Sequence, residues 1–318
     1  MQISRRSFLK YCTLASASLG LGVSELEALG QTLAKADSPP ILWLQGSGCS
    51  GCTVSFLNYV SPTAPVDATD VLIRGVSLAY HPMLSAAAGE AAVAAIRKPA
   101  DFVLVVEGGI PTAFAGHTCI PWSEGGKEVT FQQAVRDLAG RARQVVCVGT
   151  CASYGGVSAM GTNPTGVRSV RTEIGKQTIN VPGCPPHPNW IVGTLLAVLQ
   201  GKSLPLDANG RPTSIFARRM CDQCPFRGRG ETSSLGVRGM CMERLGCHGR
   251  ESSAPCPTEG WNNGVSWCVA AGSPCLGCTE PSFPAAGLGG RGGRRGFGPG
   301  GGPGGGPGRG RGPGRRMD

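Results

Sequence analysis

Short runs of consecutive apolar residues recur along the first two thirds of the chain, at 41–44, 71–78, 102–106, 145–148 and 179–181. Runs of this length, apolar on both sides of the strand alternation, read as strands buried on both faces. Between them, 85–97, 131–142 and 190–200 have helical character. Short buried strands alternating with helices predict an α/β domain around a parallel sheet. In such a sheet, ligands sit outside the carboxyl ends of the strands.

The pattern changes near residue 205. Apolar runs thin out and eight cysteines crowd into residues 221–278. The expected organisation is a sheet domain over 37–205 and a small, loop-rich domain over 206–284. Residues 1–36 read Ser4-Arg5-Arg6-Ser7-Phe8-Leu9-Lys10, then a short apolar stretch, then Ala34-Lys35-Ala36. Paired arginines, an apolar region and a small-x-small site are the features of a twin-arginine export signal. Residues 285–318 are Gly/Pro/Arg repeats with almost no apolar side chains, so a disordered tail is expected there. No run of 18 or more apolar residues occurs, so no transmembrane anchor is expected.

Charge changes the picture only at the ends. The net charge is +10, of which 285–318 holds +6 and 1–36 holds +2. The body, 37–284, carries only +2. That balance argues against a nucleic-acid-binding face.

Cysteine changes it most, with 15 in 318 residues. Cys49 and Cys52 follow the first predicted strand, Cys151 the fourth and Cys184 the fifth. Four thiols from three loops would converge at one edge of the sheet, where Glu107 closes the third strand. Such a set fits zinc or an iron–sulfur cluster; one C-x-x-C completed by two distant single cysteines favours the cluster. The second domain holds Cys221, Cys224, Cys241, Cys247, Cys256, Cys268, Cys275 and Cys278, with a C-x-x-C at each end. Four disulfides are the competing reading, but this spacing points to two tetrathiolate sets. Cys12 lies in the leader, Cys147 in mid-strand reads as an apolar filler, and Cys119 is unassigned. Twelve thiols remain, which is three sets of four and suggests an electron wire. Glu107 reads either as a group beside the first cluster or on a proton path, or as a carboxylate satisfied by backbone N–H groups. Trp43, Trp261 and Trp267 read as packing, and the four histidines as satisfied or solvated.

These motifs together resemble the small subunit of periplasmic nickel–iron hydrogenases over nearly everything from Ser4 to Phe283. They are Arg5-Arg6-Ser7-Phe8-Leu9-Lys10, Gly48-Cys49-Ser50-Gly51-Cys52, Val106-Glu107-Gly108, Gly149-Thr150-Cys151, Gly183-Cys184-Pro185-Pro186-His187-Pro188 and Pro274-Cys275-Leu276-Gly277-Cys278-Thr279-Glu280-Pro281. The resemblance implies a flavodoxin-like domain with a proximal [4Fe–4S] cluster on Cys49, Cys52, Cys151 and Cys184. It implies a medial cluster on Cys256, Cys268, Cys275 and Cys278 and a distal one on Cys221, Cys224, Cys241 and Cys247. The nickel–iron centre would lie in a large-subunit partner, with no catalytic residue on this chain. A periplasmic carrier such as a cytochrome c would exchange electrons with it.

Three departures matter. Cys221 stands where the family usually has His, which should lower the distal potential. Cys268 stands where many relatives have Pro and a [3Fe–4S] medial cluster; here the pattern is nearest the nickel–iron–selenium group, implying four irons. Gly51 and Gly156 stand where oxygen-tolerant members carry extra cysteines, so an ordinary cubane is expected. Two other readings are a quinone-reductase-type cluster subunit, which leaves the leader and second domain unexplained, and a zinc- or disulfide-bound structural protein with an RNA-binding tail.

Overall fold

The computed structural model describes residues 39–61, 64–68, 71, 76–261 and 264–284. The expected leader and tail lie outside the described residues. Five strands form the central sheet: β1 Ile41–Gln45, β2 Leu78–Tyr80, β3 Val103–Glu107, β4 Gln144–Val148 and β5 Ile179–Val181. Their spatial order is β2-β1-β3-β4-β5, and every pairing is parallel. The order reverses between β1 and β3, the switch point at which doubly wound sheets open a crevice.

Both faces of the sheet are buried, which is why the strands read as continuous apolar runs. Ile41, Trp43, Val103, Val105, Val146 and Val148 point into one core. Helix α6, Pro188–Leu199, packs there through Trp190, Ile191, Val192, Leu195, Leu196, Val198 and Leu199. Leu42, Leu44, Leu104, Val106, Val145 and Cys147 point into the other. Helix α3, Phe131–Arg141, covers that face with Phe131, Ala134, Val135 and Leu138. Its start is set by a capping box between Thr130 and Gln133. The remaining helices of this part are α1 Gly51–Leu57, α2 Gly89–Arg97, α4 Thr150–Tyr154 and α5 Val170–Ile174.

Two expected elements differ. The strand read over 71–78 is β2 at Leu78–Tyr80, because the ladder to β1 begins only where the Ile41 amide bonds the Ser77 carbonyl at 2.7 Å. Val71 and Val76 are buried in the core on the α6 side, so their apolar character reports burial rather than strand pairing. The helix read over 85–97 starts at Gly89. Ser85 instead folds back on His81: its amide bonds the His81 carbonyl, and its hydroxyl accepts from the His81 amide.

After residue 205 regular structure is sparse: one-turn helices at Thr213–Phe216, Met220–Gln223 and Cys256–Glu259. The local core comprises only Met220, Met242, Trp267 and Val269. A buried arginine ties the start of this segment to its end. Arg211 bonds Asp207 at 2.7 Å, the Thr279 carbonyl at 3.1 Å and Glu280 at 2.9 Å. The Thr150 hydroxyl also donates to the Cys278 carbonyl. The loops carrying Cys151 and Cys278 are thereby joined.

Candidate functional site

The carboxyl edge of the sheet collects the first thiol set. Cys49 and Cys52 leave β1, Cys151 lies in α4 just after β4, and Cys184 follows β5. Between the first two, Ser50 sits at φ +62, a left-handed turn that opens α1 directly after Cys49. Gly149 has φ +89, and a Cβ there would lie 2.3 Å from Cys52 Sγ. Gly156 has φ +52, and a Cβ there would lie 3.0 Å from Cys151 Sγ and 2.8 Å from its amide nitrogen. Backbone therefore closes tightly around these thiols.

The thiols feel one another. Burial, the Glu107 carboxylate and the thiolates of Cys151, Cys49 and Cys184 hold the Cys52 thiol well above its usual range. Burial, then Cys151 and Cys49, push Cys184 up to about 11. Ionising all four here requires a positive charge, which a bound metal centre supplies by deprotonating its thiol ligands.

Glu107 ends β3 inside this set and is 1 % exposed. It accepts from the Cys52 and Thr53 amides, each at 3.1 Å, from Trp43 Nε1 at 3.1 Å and from the Thr53 hydroxyl. The two amides are first-turn N–H groups of α1, which lack partners within the helix. Four donors thus converge on one buried side chain and hold it in place. Thr53 Oγ1 also lies 3.4 Å from His81 Nε2, while His81 Nδ1 accepts from the Met83 amide. Burial lowers His81 to about 4, so the ring is neutral, and these bonds place its proton on Nε2.

The second set gathers around Cys256. Burial and the charges of Cys278, Cys275 and Cys268 push its thiol well up, opposed by a hydrogen bond from Trp261. Burial drives Cys278 to about 12 and Cys275 to about 11. The third set gathers around Cys221 and Cys247. Burial raises Cys221, opposed by Arg227, with Cys224 and Cys241 adding to the rise. Burial raises Cys247, with Cys241 and Cys221 contributing.

Hydrogen bonds link consecutive sets. The Cys184 amide donates to the Cys278 thiolate, joining the first to the second. The Cys275 amide donates to Cys247 Sγ at 3.4 Å, joining the second to the third. All fourteen described cysteines are free thiols. Cys147 is buried in the sheet, and Cys119 packs beside the α3 core.

Among the described residues no three His, Cys, Asp or Glu side chains close on one point as around a single ion. His248, between Cys247 and the Cys275 loop, bonds Glu251 through Nδ1 at 2.9 Å. Its Nε2 is buried and unpartnered.

The periodic pattern missed Trp43, Thr53, His81 and Trp261. Trp261 packs against His187 and Trp190, and in addition bonds a thiol. Trp43 anchors Glu107. Trp267 stacks on Phe226 at 6.1 Å within the small core. Nothing in local spacing marks these indoles, because their partners lie far away in sequence.

Comparison with known proteins assigns the class. Residues 49–198 match the family described as NADH ubiquinone oxidoreductase, 20 Kd subunit. Residues 216–287 match the C-terminal family of NiFe/NiFeSe hydrogenase small subunits. The chain belongs to the hydrogenase small-subunit family. It is 40 % identical over 312 residues to the periplasmic [NiFeSe] hydrogenase small subunit of Desulfomicrobium baculatum, covering 89 % of this chain and 97 % of that one. It is 36 % identical to the periplasmic [NiFe] small subunit of Solidesulfovibrio fructosivorans, covering 88 % and 90 %. The solved [NiFeSe]-hydrogenase of Dm. baculatum superposes with a TM-score of 0.72 at 38 % identity, covering 78 % of this chain and 96 % of that one.

Proposed function

We propose that this chain is the electron-relaying small subunit of a heterodimeric nickel–iron hydrogenase and holds three [4Fe–4S] clusters. The observation that carries the reading is the arrangement of twelve thiols as three electrostatically coupled sets joined by two amide-to-thiolate bonds. Cys49, Cys52, Cys151 and Cys184 would hold the proximal cluster. Cys256, Cys268, Cys275 and Cys278 would hold the medial one. Cys221, Cys224, Cys241 and Cys247 would hold the distal one. Bound clusters supply one-electron transfer between the hydrogen-activating site of the large subunit and an external carrier.

The chain's own residues hold and tune these sites. Glu107 fixes the start of α1, and with it Cys52, while adding a buried negative charge. Trp261 and the two bridging amides donate to thiolates, which steadies the ligands and favours the reduced state. His248 donates through Nδ1 to Glu251, which leaves Nε2 buried without a partner beside both the second and third sets.

The proximal edge suits a lasting partner. Cys49 and Cys184 are exposed there, and α1 presents Val54 at 49 % and Leu57 at 39 % exposure. A cavity of about 400 Å³ beside them is lined by Gly51, Val54, Pro185, His187 and Trp261. The large subunit would cover this apolar face. Among the described residues no helix is long and apolar enough to cross a membrane. With Arg5 and Arg6 in the leader, periplasmic export of the folded, loaded protein by the twin-arginine route is the accompanying proposal.

The test is the iron, sulfide and zinc content of the anaerobically purified heterodimer, with EPR. About twelve irons and twelve sulfides on this chain are expected. About eleven irons with an oxidised three-iron signal would remove Cys221 or Cys268 from the ligands. Zinc without sulfide would overturn the relay.

A further inference from the structure

The two ends of the relay have opposite surfaces. At the proximal end, α1 carries no charged residue and exposes apolar side chains. At the distal end the surface is basic. Residues 217–251 hold seven arginines against four carboxylates, a net +3, while the rest of the body is at −1. All seven, Arg218, Arg219, Arg227, Arg229, Arg238, Arg244 and Arg250, are exposed. Three of them pair with acids of the same segment: Arg227 with Asp222, Arg244 with Glu231 and Arg250 with Glu243. The other four have no ion pair among the described residues.

Four of these arginines lie beside residues of the third thiol set. Arg227 and Arg250 lie close enough to Cys221 to offset part of its rise. Arg244 pairs with Glu231, whose backbone bridges Cys241. Arg219 immediately precedes the turn that carries Cys221. Arg229 and Arg238 flank the loop that exposes Leu235 at 69 %. The four thiols beneath are only partly buried. An apolar contact ringed by unpaired charge is the anatomy of a transient, electrostatically steered interface rather than a permanent one.

We propose that the arginine rim around Cys221, Cys224, Cys241 and Cys247 is the docking face for an acidic electron-carrier protein, one presenting Asp and Glu around its redox group. The proposal rests on the relay reading and specifies its outer partner. A cytochrome c with an acidic haem edge satisfies it, and a basic one does not. Charge of one sign on each side raises the encounter rate and orients the pair, and both effects weaken with salt.

The experiment uses the holo-heterodimer with two probes, an acidic plant-type [2Fe–2S] ferredoxin and a basic cytochrome c. Binding of each is measured directly between about 20 and 200 mM salt, alongside H2-driven reduction. Ferredoxin affinity should fall about tenfold or more across that range, and the cytochrome should bind weakly throughout. The triple variant R218E/R229E/R238E should weaken ferredoxin at low salt by about tenfold or more and strengthen the cytochrome. Ferredoxin binding indifferent to salt, or tighter binding of the cytochrome by the unaltered protein, would overturn the docking face. The salt series on the unaltered protein decides the matter should the variant not fold. Viologen dye reduction by H2 needs no docking face, so its failure would count against the relay instead.

Discussion

The sheet domain and the cysteine-rich segment solve the problem of stability differently. The first packs two continuous cores, one on each face of five parallel strands. The second has a local core of four buried apolar side chains, Met220, Met242, Trp267 and Val269, and eight thiols. A segment with so little core depends on cross-links or metals for its folding energy. The sheet domain presents its thiols on a scaffold that stands without them. In the second segment, the thiols outnumber the buried apolar side chains of the local core.

The largest expected effect tests that contrast directly. Stripping iron from the whole chain should abolish amide protection across 217–278. The strands Ile41–Gln45, Val103–Glu107 and Gln144–Val148 should stay protected. Hydrogen exchange measures both at once. Protection retained in the cysteine-rich segment would break the comparison.

Gly149→Ala comes next. The new Cβ would sit 2.3 Å from Cys52 Sγ on a backbone at φ +89. Displacing Cys52 should cost the proximal cluster and lower the iron content by roughly a third, with the other two clusters intact by EPR. Loss of all three would mean the sheet domain also needs its cluster.

Glu107→Gln keeps the size of the side chain, and its one amide oxygen can still accept from the two α1 amides, while its NH2 replaces the oxygen that accepts from Trp43 and the Thr53 hydroxyl. Removing a buried negative charge beside the proximal thiols should raise that cluster's potential by an amount on the order of tens of millivolts. A redox titration followed by EPR reads this, and an unmoved potential would reduce Glu107 to a structural cap.

The smallest effect is acid sensitivity in the sheet domain. His81 is buried neutral, lowered from 6.5 to about 4 by desolvation. Its unfolded form binds more protons between those values, so its contribution is fully present above about pH 6.5 and lost as the pH falls to about 4. The loss is about 3 kcal/mol. His81→Gln should flatten that part of the stability–pH curve, as measured by denaturant unfolding. A parallel curve for the variant would assign the acid sensitivity to other groups.

Much of the molecule was legible in the chain itself. Buried parallel strands announce themselves because both faces are covered, so 41–44, 145–148 and 179–181 each lie within an observed strand and 102–106 overlaps Val103–Glu107. The position of Cys49, Cys52, Cys151, Cys184 and Glu107 after those strands followed from sheet topology. Where burial and pairing part company, pattern misled: Val71 and Val76 pack into a core ahead of the strand at Leu78–Tyr80, and Ser85 bonds back to His81 instead of starting a helix.

What only the tertiary structure decided is long-range contact among polar groups. Trp43 reaches Glu107 across 64 residues, Thr150 reaches Cys278 across 128, and the Cys275 amide reaches Cys247 across 28. Hydrogen bonds of this kind leave no periodic trace, because periodicity records which face of an element is buried and says nothing of what lies opposite. The approach of Arg227 and Arg250 to Cys221 is of the same kind. The net charge of 217–251 can be counted from the sequence, but which thiols its arginines face depends on how the loops close.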